Sequence, residues 1–367
     1  MTVHGRTATA LAVAVLLCAT GCARARPGDD APTSPLPSSA VSPAATPAWV
    51  PASSPCAKAG GHSDGCELPG YPDRPFDVFV PTSYSPAAAM PVVVFLHGGG
   101  GNGEQTQATT CGGGDLGDAR CLQALGEREG FITVYPNGTG TRLLRDVRTW
   151  NAGGGGPDYA CASGHACDVN VDDIAYLGAV LDELEREYRV DASRVYFSGF
   201  SNGAAMVHRV GCEMADRVAA IAPVSGENEY ATNADCSPAR PVPVLDIHGT
   251  ADPCWTYASS TTACLDQDPR PKIGALESTA GWVARDGCVG DGSVSALPDT
   301  ADDGMTSEVR TWSSCEGGAE VRLITVNGGG HVFPGGAITS PRARTDAGTQ
   351  DIGAEVIWAF LSRFSLD

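Results

Sequence analysis

Residues 194–203 read Arg194-Val195-Tyr196-Phe197-Ser198-Gly199-Phe200-Ser201-Asn202-Gly203, and this stretch decides the fold. Its first five residues predict a strand, and residues 204–214 have helix-forming character. A G-x-S-x-G segment between a strand and a helix holds its serine on a strained turn. The glycines permit that turn because a Cβ at either position would collide with neighbouring backbone. We therefore expect Ser201 to be a nucleophile; the alternative is a serine in an ordinary glycine-rich turn.

A serine nucleophile at neutral pH needs a base, which is usually a histidine oriented by a carboxylate. Downstream of Ser201 the chain has His208, His248 and His331. His208 falls within the helix after the nucleophile, so we expect a packed or surface residue. His331 lies in a glycine-rich loop directly after the predicted strand 321–326, a position suited to the base.

The acid of such a triad follows the serine and precedes the histidine along the chain. Asp252 lies in a turn just past the predicted strand 242–247, and we favour it over Asp246, which lies within that strand. For His248 to serve as the base, an acid would be needed between positions 201 and 248. Asp216 and Asp235 lie there, but neither follows a predicted strand. The predicted triad is therefore Ser201, Asp252 and His331.

Acyl transfer also requires N–H donors for the negatively charged oxygen of the tetrahedral intermediate. We expect one donor to be the backbone N–H of Asn202, the residue after the nucleophile. The other is expected from His97-Gly98-Gly99-Gly100-Gly101-Asn102, which follows the predicted strand 92–96 and resembles the HGGG element of esterases and lipases. Gly99 is the favoured donor, and His97 is expected to be structural.

Strand-like and helix-like segments alternate along the rest of the chain, which predicts an α/β fold with a mostly parallel sheet flanked by helices. Apolar residues at spacings of three and four predict a helix over 172–188, with Ile174, Leu177, Leu181, Leu184 and Tyr188 on its buried face. A last helix is predicted over 351–364, with Ile352, Val356 and Phe360 on one face. The strands are predicted at 76–80, 92–96, 132–135, 195–198, 219–224, 242–247 and 321–326.

The N-terminal part of the chain predicts export. Residues 1–22 read as a signal peptide, and Ala19-Thr20-Gly21-Cys22 resembles a bacterial lipobox in which Cys22 would carry the lipid. The alternative is cleavage after Ala25, which would release a free protein. Residues 23–55 are rich in Pro, Ala and Ser and predict a linker, followed by one catalytic domain over 56–367. The expected location is therefore extracellular, on the cell surface or free.

Cysteine number supports an oxidising compartment. Of the fourteen cysteines, Cys18 and Cys22 belong to the predicted leader, and the remaining even number allows six disulfides that would staple the loops. Cysteines can also bind metal ions, but the sequence has no C-x-x-C pair, and we expect no metal. Proximity suggests the pairs Cys56–Cys66, Cys111–Cys121, Cys161–Cys167, Cys212–Cys236, Cys254–Cys264 and Cys288–Cys315.

The net charge of the chain limits the classes of partner that we expect. The 43 acidic and 24 basic side chains give a formal net charge of -19, which repels nucleic acid and anionic lipid headgroups. We therefore expect no nucleic-acid partner, and contact with a membrane only through a lipid anchor. The sequence does not indicate an oligomeric state.

Several sequence blocks together resemble the bacterial poly(3-hydroxybutyrate) depolymerase/feruloyl esterase family of extracellular α/β-hydrolases, which includes mycobacterial-type esterase lipoproteins. The resemblance implies the α/β-hydrolase fold, the same triad, no cofactor, and hydrolysis of acyl or feruloyl esters on polysaccharide or of short hydroxyalkanoate polyesters. It runs from about Pro69 to the C-terminus. The blocks are residues 96–103, Thr149-Trp150-Asn151, Val171-Asp172-Asp173, residues 199–204, His248-Gly249-Thr250-Ala251-Asp252, Trp282 with Gly287-Cys288, and residues 328–335.

Two stretches depart from the family pattern. Cys254-Trp255-Thr256-Tyr257 follows the acid's proline, where the family commonly has a small aliphatic pair and a tyrosine, and Val332-Phe333 follows the histidine, where it commonly has Thr-Trp. Trp255 and Phe333 are candidates for stacking on an aromatic acyl group, and Trp150 is a candidate supporting residue; packing is the alternative for all three.

The sequence thus predicts an exported serine carboxylic ester hydrolase. One alternative is an acyltransferase that passes the acyl group from the same serine to a cell-wall sugar. Another is a surface-binding lipoprotein on a hydrolase scaffold, which would be expected to have a broken triad.

Overall fold

A ten-stranded sheet forms the centre of the computed structural model, which describes residues 49–50, 55–140, 146–153, 165–260, 273–336 and 348–367. Residues from Trp49 onward form one compact unit. The strands are β1 Gly61–Cys66, β2 Phe76–Val80, β3 Met90–Leu96, β4 Ile132–Pro136, β5 Thr139–Gly140, β6 Arg148–Thr149, β7 Val190–Phe200, β8 Ala220–Val224, β9 Val244–Gly249, β10 Ser293–Ala296, β11 Thr306–Trp312 and β12 Val321–Asn327. Strands β5 and β6 form a separate small sheet.

Helices cover both faces of the large sheet. They are α1 Gly103–Thr109, α2 Leu122–Glu129, α3 His165–Asp168, α4 Asp173–Glu187, α5 Asn202–Glu213, α6 Tyr230–Asn233, α7 Ala275–Arg285 and α8 Ala354–Leu361. Among the described residues, no helix is both long enough and apolar enough to span a membrane.

The strand order in the large sheet is β1-β2-β4-β3-β7-β8-β9-β12-β11-β10. The run from β4 to β12 is parallel throughout, and antiparallel strands flank it at each edge. The central strands are buried on both faces, as their continuous apolar sequences predict; every residue of β3 is buried. The predicted α/β fold with a mostly parallel sheet is confirmed.

Two hydrophobic cores lie on the two faces of this sheet. The first core contains Trp150, Tyr176 and Trp282 together with the buried faces of α4 and α5. The second core contains Phe95, Phe131 and Tyr196 and the buried face of α8. Because parallel strands end at the same edge, the loops after β3, β7, β8, β9 and β12 meet at one edge between the two cores.

Helix α4 begins at the predicted place, since the Asp172 carboxylate accepts the backbone N–H of Ala175 at 2.9 Å. Its buried face includes Leu177, Leu181 and Leu184, whereas Ile174 is only partly buried.

The predicted last helix was too long. Helix α8 spans only Ala354–Leu361, because Gly353 adopts an extended conformation before it. Ile352 therefore precedes the helix, and Val356 is only partly buried.

Four of the six suggested disulfides are present: Cys56–Cys66, Cys111–Cys121, Cys212–Cys236 and Cys288–Cys315. The other two suggestions involve Cys161 and Cys264, which lie outside the described residues. The predicted signal peptide, Cys22 and nearly all of the predicted linker also lie outside them.

Candidate active site

Ser201 lies on a tight turn between β7 and α5 and has a strained backbone, with φ 57° and ψ -124°. Residues with a side chain rarely adopt such angles, and they persist only where the surroundings hold them. The flanking glycines are sterically required. A Cβ on Gly203 would lie 2.3 Å from the carbonyl oxygen of Leu96, and one on Gly199 would lie 2.9 Å from the backbone of Gly203.

The structure brings Ser201, His331 and Asp252 together at the carboxyl ends of β7, β12 and β9. The distance from Ser201 Oγ to His331 Nε2 is 2.9 Å, and that from His331 Nδ1 to Asp252 Oδ2 is 2.8 Å. All three residues are buried, each at most 7% exposed. Sequence reasoning predicted this set of residues and their order.

The hydrogen bonds fix which nitrogen of His331 faces Ser201. Asp252 Oδ1 accepts the backbone N–H groups of Cys254 at 2.7 Å and Trp255 at 2.9 Å, so the carboxylate is fixed at both oxygens. With Asp252 accepting from His331 Nδ1–H, His331 Nε2 is left to accept the proton of the Ser201 hydroxyl. The ring of Phe200 stacks on His331, with centroids 4.8 Å apart, and limits rotation of the imidazole.

Candidate oxyanion donors lie on both sides of Ser201. Asn202 is the first residue of α5, so its N–H has no acceptor within the helix. On the other side, a Cβ on Gly98 would lie 3.4 Å from Ser201 Cβ, which places the 98–101 loop directly against the nucleophile.

His97 controls the orientation of this loop. Its Nε2 accepts the N–H of Gly138 at 2.9 Å, so its Nδ1 carries the proton and donates to the Gly98 carbonyl at 2.8 Å. Burial lowers the pKa of His97 to about 3, which keeps the ring neutral. Because the Gly98 carbonyl and the Gly99 N–H share one peptide plane, fixing the carbonyl also fixes the direction of that N–H.

Trp150 holds the turn that carries Ser201 through hydrogen bonds to Asn202 and His97. The Asn202 side chain accepts the N–H of Trp150 at 2.7 Å and donates to its carbonyl at 3.1 Å, while the indole N–H of Trp150 donates to the His97 carbonyl at 2.9 Å. The Trp150 side chain is fully buried. In this conformation it contacts protein and offers no surface to a substrate.

Trp255 and Phe333 lie beside the triad but in different cores. Trp255 is 9% exposed and packs into the first core, whereas Phe333 is 2% exposed and packs edge-on against Phe95 in the second. They therefore do not face each other across one pocket.

Sequence reasoning missed Glu227. It tested only aspartates as partners for His248, yet the structure places Glu227 Oε1 3.1 Å from His248 Nδ1, with both side chains fully buried. Glu227 lies in the loop just after β8, and that strand-end position was the available signal. His208 is a packed residue, as expected: its Nδ1 accepts the indole N–H of Trp282 at 2.9 Å, and its Nε2 bonds to the Gly226 carbonyl at 3.1 Å.

Two groups of described side chains are close enough to share a metal ion: Asp252, Cys254 and His331, and His208, Glu227 and Asp246. Cys254 is disulfide-bonded and His331 bonds to Ser201 and Asp252. In the second group, both ring nitrogens of His208 are already engaged in hydrogen bonds. Neither arrangement presents a free ligand set.

Comparison with known proteins places this site in context. No family model matches the chain. It is 32% identical over 167 residues to feruloyl esterase B of Piromyces equi, covering 45% of this chain and 30% of that protein. It is 30% identical over 255 residues to a Nocardia uniformis subsp. tsuyamanensis protein named as an esterase, NocK, covering 67% of this chain and 66% of that one. The chain belongs to the α/β-hydrolase family that includes feruloyl esterases.

Further comparisons agree with this assignment. The α/β-hydrolase is 25% identical over 294 residues to a bifunctional acetylxylan esterase/xylanase of Neocallimastix patriciarum, covering 80% of this chain and 34% of that protein. It therefore spans between about a third and two thirds of these relatives. Acetyl xylan esterase from Aspergillus awamori matches its fold with a TM-score of 0.50 at 18% identity, covering 79% of this chain and 94% of that structure.

Proposed function

We propose that this α/β-hydrolase is an exported serine carboxylic ester hydrolase. The observation that carries the proposal is the continuous hydrogen-bonded series from Ser201 Oγ through the His331 ring to Asp252. The two hydrogen bonds are compatible with the protonation that nucleophilic attack requires, and the strained turn of Ser201 also supports a functional role.

The reaction has two halves. In the first, Ser201 Oγ attacks the ester carbonyl carbon while His331 Nε2 takes the hydroxyl proton, and Asp252 stabilises the resulting imidazolium. As the tetrahedral intermediate collapses, the imidazolium gives its proton to the leaving alcohol and an acyl-serine remains. In the second half, His331 takes a proton from water, the hydroxide attacks the acyl carbon, and Ser201 regains its proton as the acid leaves.

The negative oxygen formed in each half is bound by the backbone N–H groups of Asn202 and Gly99. Such donors contribute about 3 kcal/mol each to transition-state stabilisation. The support for Asn202 is its place at the start of α5. The support for Gly99 is the orientation of its peptide plane by His97 and the packing of Gly98 against Ser201.

The proposed substrates are feruloyl or acetyl esters carried on polysaccharide. The support comes from the relatives named as feruloyl and acetylxylan esterases. Short hydroxyalkanoate polyesters are the second substrate class implied by the sequence blocks. Trp255 and Phe333 lie beside the acid and the base, and we propose that small displacements of these side chains admit the acyl group from either side of the triad.

Export is supported by the four described disulfides, which persist in oxidising compartments. Lipidation at Cys22 remains a prediction. Mass spectrometry of the mature N-terminus would distinguish a lipid on Cys22 from cleavage after Ala25.

The test is a comparison of rates on p-nitrophenyl acetate, methyl ferulate, acetylated xylan and 3-hydroxybutyrate oligomers, with Ser201→Ala as the blank. We expect Ser201→Ala to abolish activity and a fluorophosphonate probe to label only the protein that retains Ser201. Wild-type activity in Ser201→Ala would refute the mechanism. Product analysis with added sugar acceptors separates hydrolysis from acyl transfer, and absence of both labelling and turnover in folded protein would favour a binding role.

A further inference from the structure

A group of buried polar side chains lies next to Asp252, where His248 Nε2 comes within 3.6 Å of Asp252 Oδ2. Glu227, Asp246 and His248, here called the rear cluster, are each at most 1% exposed. Asp246 and His248 both lie on β9 and point to the same face of the sheet, while Glu227 reaches them from the loop after β8. Burying two acids and a histidine in a protein core is unfavourable unless their protons are well placed.

The hydrogen bonds of His248 assign its protons. Nε2 lies 2.6 Å from the carbonyl oxygen of Trp255, and a carbonyl can only accept, so Nε2 carries a hydrogen. Nδ1 lies 3.1 Å from Glu227 Oε1. The geometry of this contact does not make a hydrogen bond, so Glu227 packs against His248 Nδ1 without a proton placed between them.

The surroundings favour the neutral form of this pair. Burial, together with the nearby Asp246 and Asp252 carboxyl groups and Glu277 on α7, raises the pKa of Glu227. Burial also lowers the pKa of His248, an effect that His331 adds to and Asp252 opposes.

The remaining groups near the pair are also neutral or distant. Burial raises the pKa of Asp246 and lowers that of His208 to about 3, and the Tyr257 ring centroid is 6.3 Å from that of His248. Burial thus favours the neutral forms of both Glu227 and His248.

His248 interacts with the Asp252 region in two ways. The first is the turn after Asp252, where Trp255 donates its N–H to Asp252 Oδ1 while its carbonyl is held by His248 Nε2–H. The second is electrostatic, since His248 Nε2 lies 3.6 Å from Asp252 Oδ2, the oxygen that also accepts from His331. His248 thus fixes the backbone that holds Asp252 and presents a partial positive charge to its carboxylate.

We infer that His248 is a positioning residue for the triad: it holds the Asp252–Trp255 turn so that Asp252 meets His331, with Glu227 packed against its ring. This inference rests on the proposed function, because it concerns the same site. Neither residue touches the reacting atoms. The sequence order Ser201, Glu227, His248 copies that of a second triad, but His248 Nε2 bonds to the Trp255 carbonyl and not to Ser201.

Three substitutions of His248 separate the contribution of the hydrogen bond at Nε2 from that of the group at Nδ1. His248→Gln keeps a side-chain N–H at about the position of Nε2 and can still donate to the Trp255 carbonyl. His248→Asn places its amide near Nδ1 and loses that bond, and His248→Phe loses both. We expect kcat on p-nitrophenyl acetate to fall between about 10-fold and 100-fold in the Asn and Phe variants, with KM little changed and substantial rescue by Gln.

A purely structural role of His248 would not change how kcat/KM depends on pH, so the pH profile tests the positioning role. A loosely held Asp252 stabilises the His331 imidazolium less, so the acid limb of kcat/KM should move to lower pH in His248→Asn and His248→Phe. Asp286→Asn is the matched control: it replaces a buried carboxyl that accepts the Val242 N–H just before β9, at the opposite end of that strand from the triad, and it should leave the acid limb in place.

Nuclear magnetic resonance of ¹⁵N-histidine-labelled protein in the Ser201→Ala background tests the inference without relying on activity. We expect His248 to show a protonated Nε2 and an unprotonated Nδ1 at neutral pH, and the His331 Nδ1–H resonance to shift when His248 is Asn. Thermal denaturation identifies any variant that fails to fold, and the Gln/Asn contrast remains informative if Phe does.

The outcomes distinguish the two proposals. An inactive wild-type enzyme with the expected resonances would overturn the proposed function and leave the positioning role of His248 supported. An active enzyme whose His248→Asn variant keeps the wild-type kcat, acid limb and His331 Nδ1–H resonance would overturn the inference alone. A His248 imidazolium at neutral pH would also overturn it.

Discussion

Asn202 offers a quantitative test of how the nucleophile turn is supported. Its side chain makes two hydrogen bonds to the backbone of Trp150, of 2.7 and 3.1 Å, and it is fully buried. Its backbone N–H is a proposed oxyanion donor, but the side chain itself does not need to touch the substrate. Replacing the side chain therefore separates support of the turn from chemistry at the serine.

The expected loss in Asn202→Ala follows from these bonds. A hydrogen bond within a protein contributes about 1 kcal/mol net, so losing two should lower the free energy of unfolding by about 2 kcal/mol. For a domain of this size, such a loss lowers Tm by about 4 °C. The turn keeps the Ser201 N–H bond to the Val224 carbonyl and the Ala205 N–H bond to the Ser201 carbonyl, so kcat should fall by less than about 10-fold.

Asn202→Asp is the sharper variant because it has almost the same shape. One oxygen can still accept the Trp150 N–H, but the other would face the Trp150 carbonyl oxygen, where only a protonated acid can donate. Burial and this repulsion would raise the pKa of the introduced carboxyl group in the folded state. The protonated acid then stabilises the fold below the ordinary Asp pKa, and that contribution is lost as pH rises through the raised value.

The measurement is thermal unfolding of wild type, Asn202→Ala and Asn202→Asp at pH 5 and pH 8. We expect the Tm gap between Asn202→Asp and wild type to widen from pH 5 to pH 8, and the gap for Asn202→Ala to stay constant. A pH-independent gap for Asn202→Asp, or a wild-type Tm for Asn202→Ala, would show that the side chain does not hold the turn.

Three further predictions follow from buried groups elsewhere. His97→Ala leaves the Gly98 carbonyl held only by the Gly101 N–H at 3.0 Å and should lower kcat, by at most the roughly 3 kcal/mol of one oxyanion donor, with little change in KM in steady-state assays. Burial raises the pKa of Asp286 to about 7, so wild type should lose stability from about pH 4 to 7, and denaturant titrations of Asp286→Asn should show a weaker decline. Replacing Cys212 and Cys236, which are 24 residues apart, with serine should lower the free energy of unfolding by about 3 kcal/mol in denaturant titrations.

The parallel part of the sheet was predictable because strands that are buried on both faces have continuous apolar sequences. Strand β3 carries Val92, Val93, Val94 and Phe95 in succession. The edge strands leave a weaker trace: β10 is exposed along its whole length, and β1 is largely polar and interrupted by an irregular register. Strand β11 has alternating burial, but its polar composition resembles that of a surface loop.

The triad was predictable for a different reason. Strand ends mark the active edge of an α/β sheet, and Ser201, Asp252 and His331 each follow a strand with apolar character. Glu227 also follows a strand, but its meaning depends on His248, whose partner only the fold reveals. Likewise, the sequence identifies Trp150 as an aromatic near the site but cannot say that it is fully buried.

The pairing of the described disulfides has a consequence for how the chain reaches its oxidised state. Each joins a cysteine to the next one along the sequence, at separations of 10, 10, 24 and 27 residues. Closing a short loop costs less entropy than closing a long one, so an unfolded chain meets these native partners more often than distant ones. Oxidation can therefore begin before the central sheet assembles, with little need for later exchange between mispaired thiols.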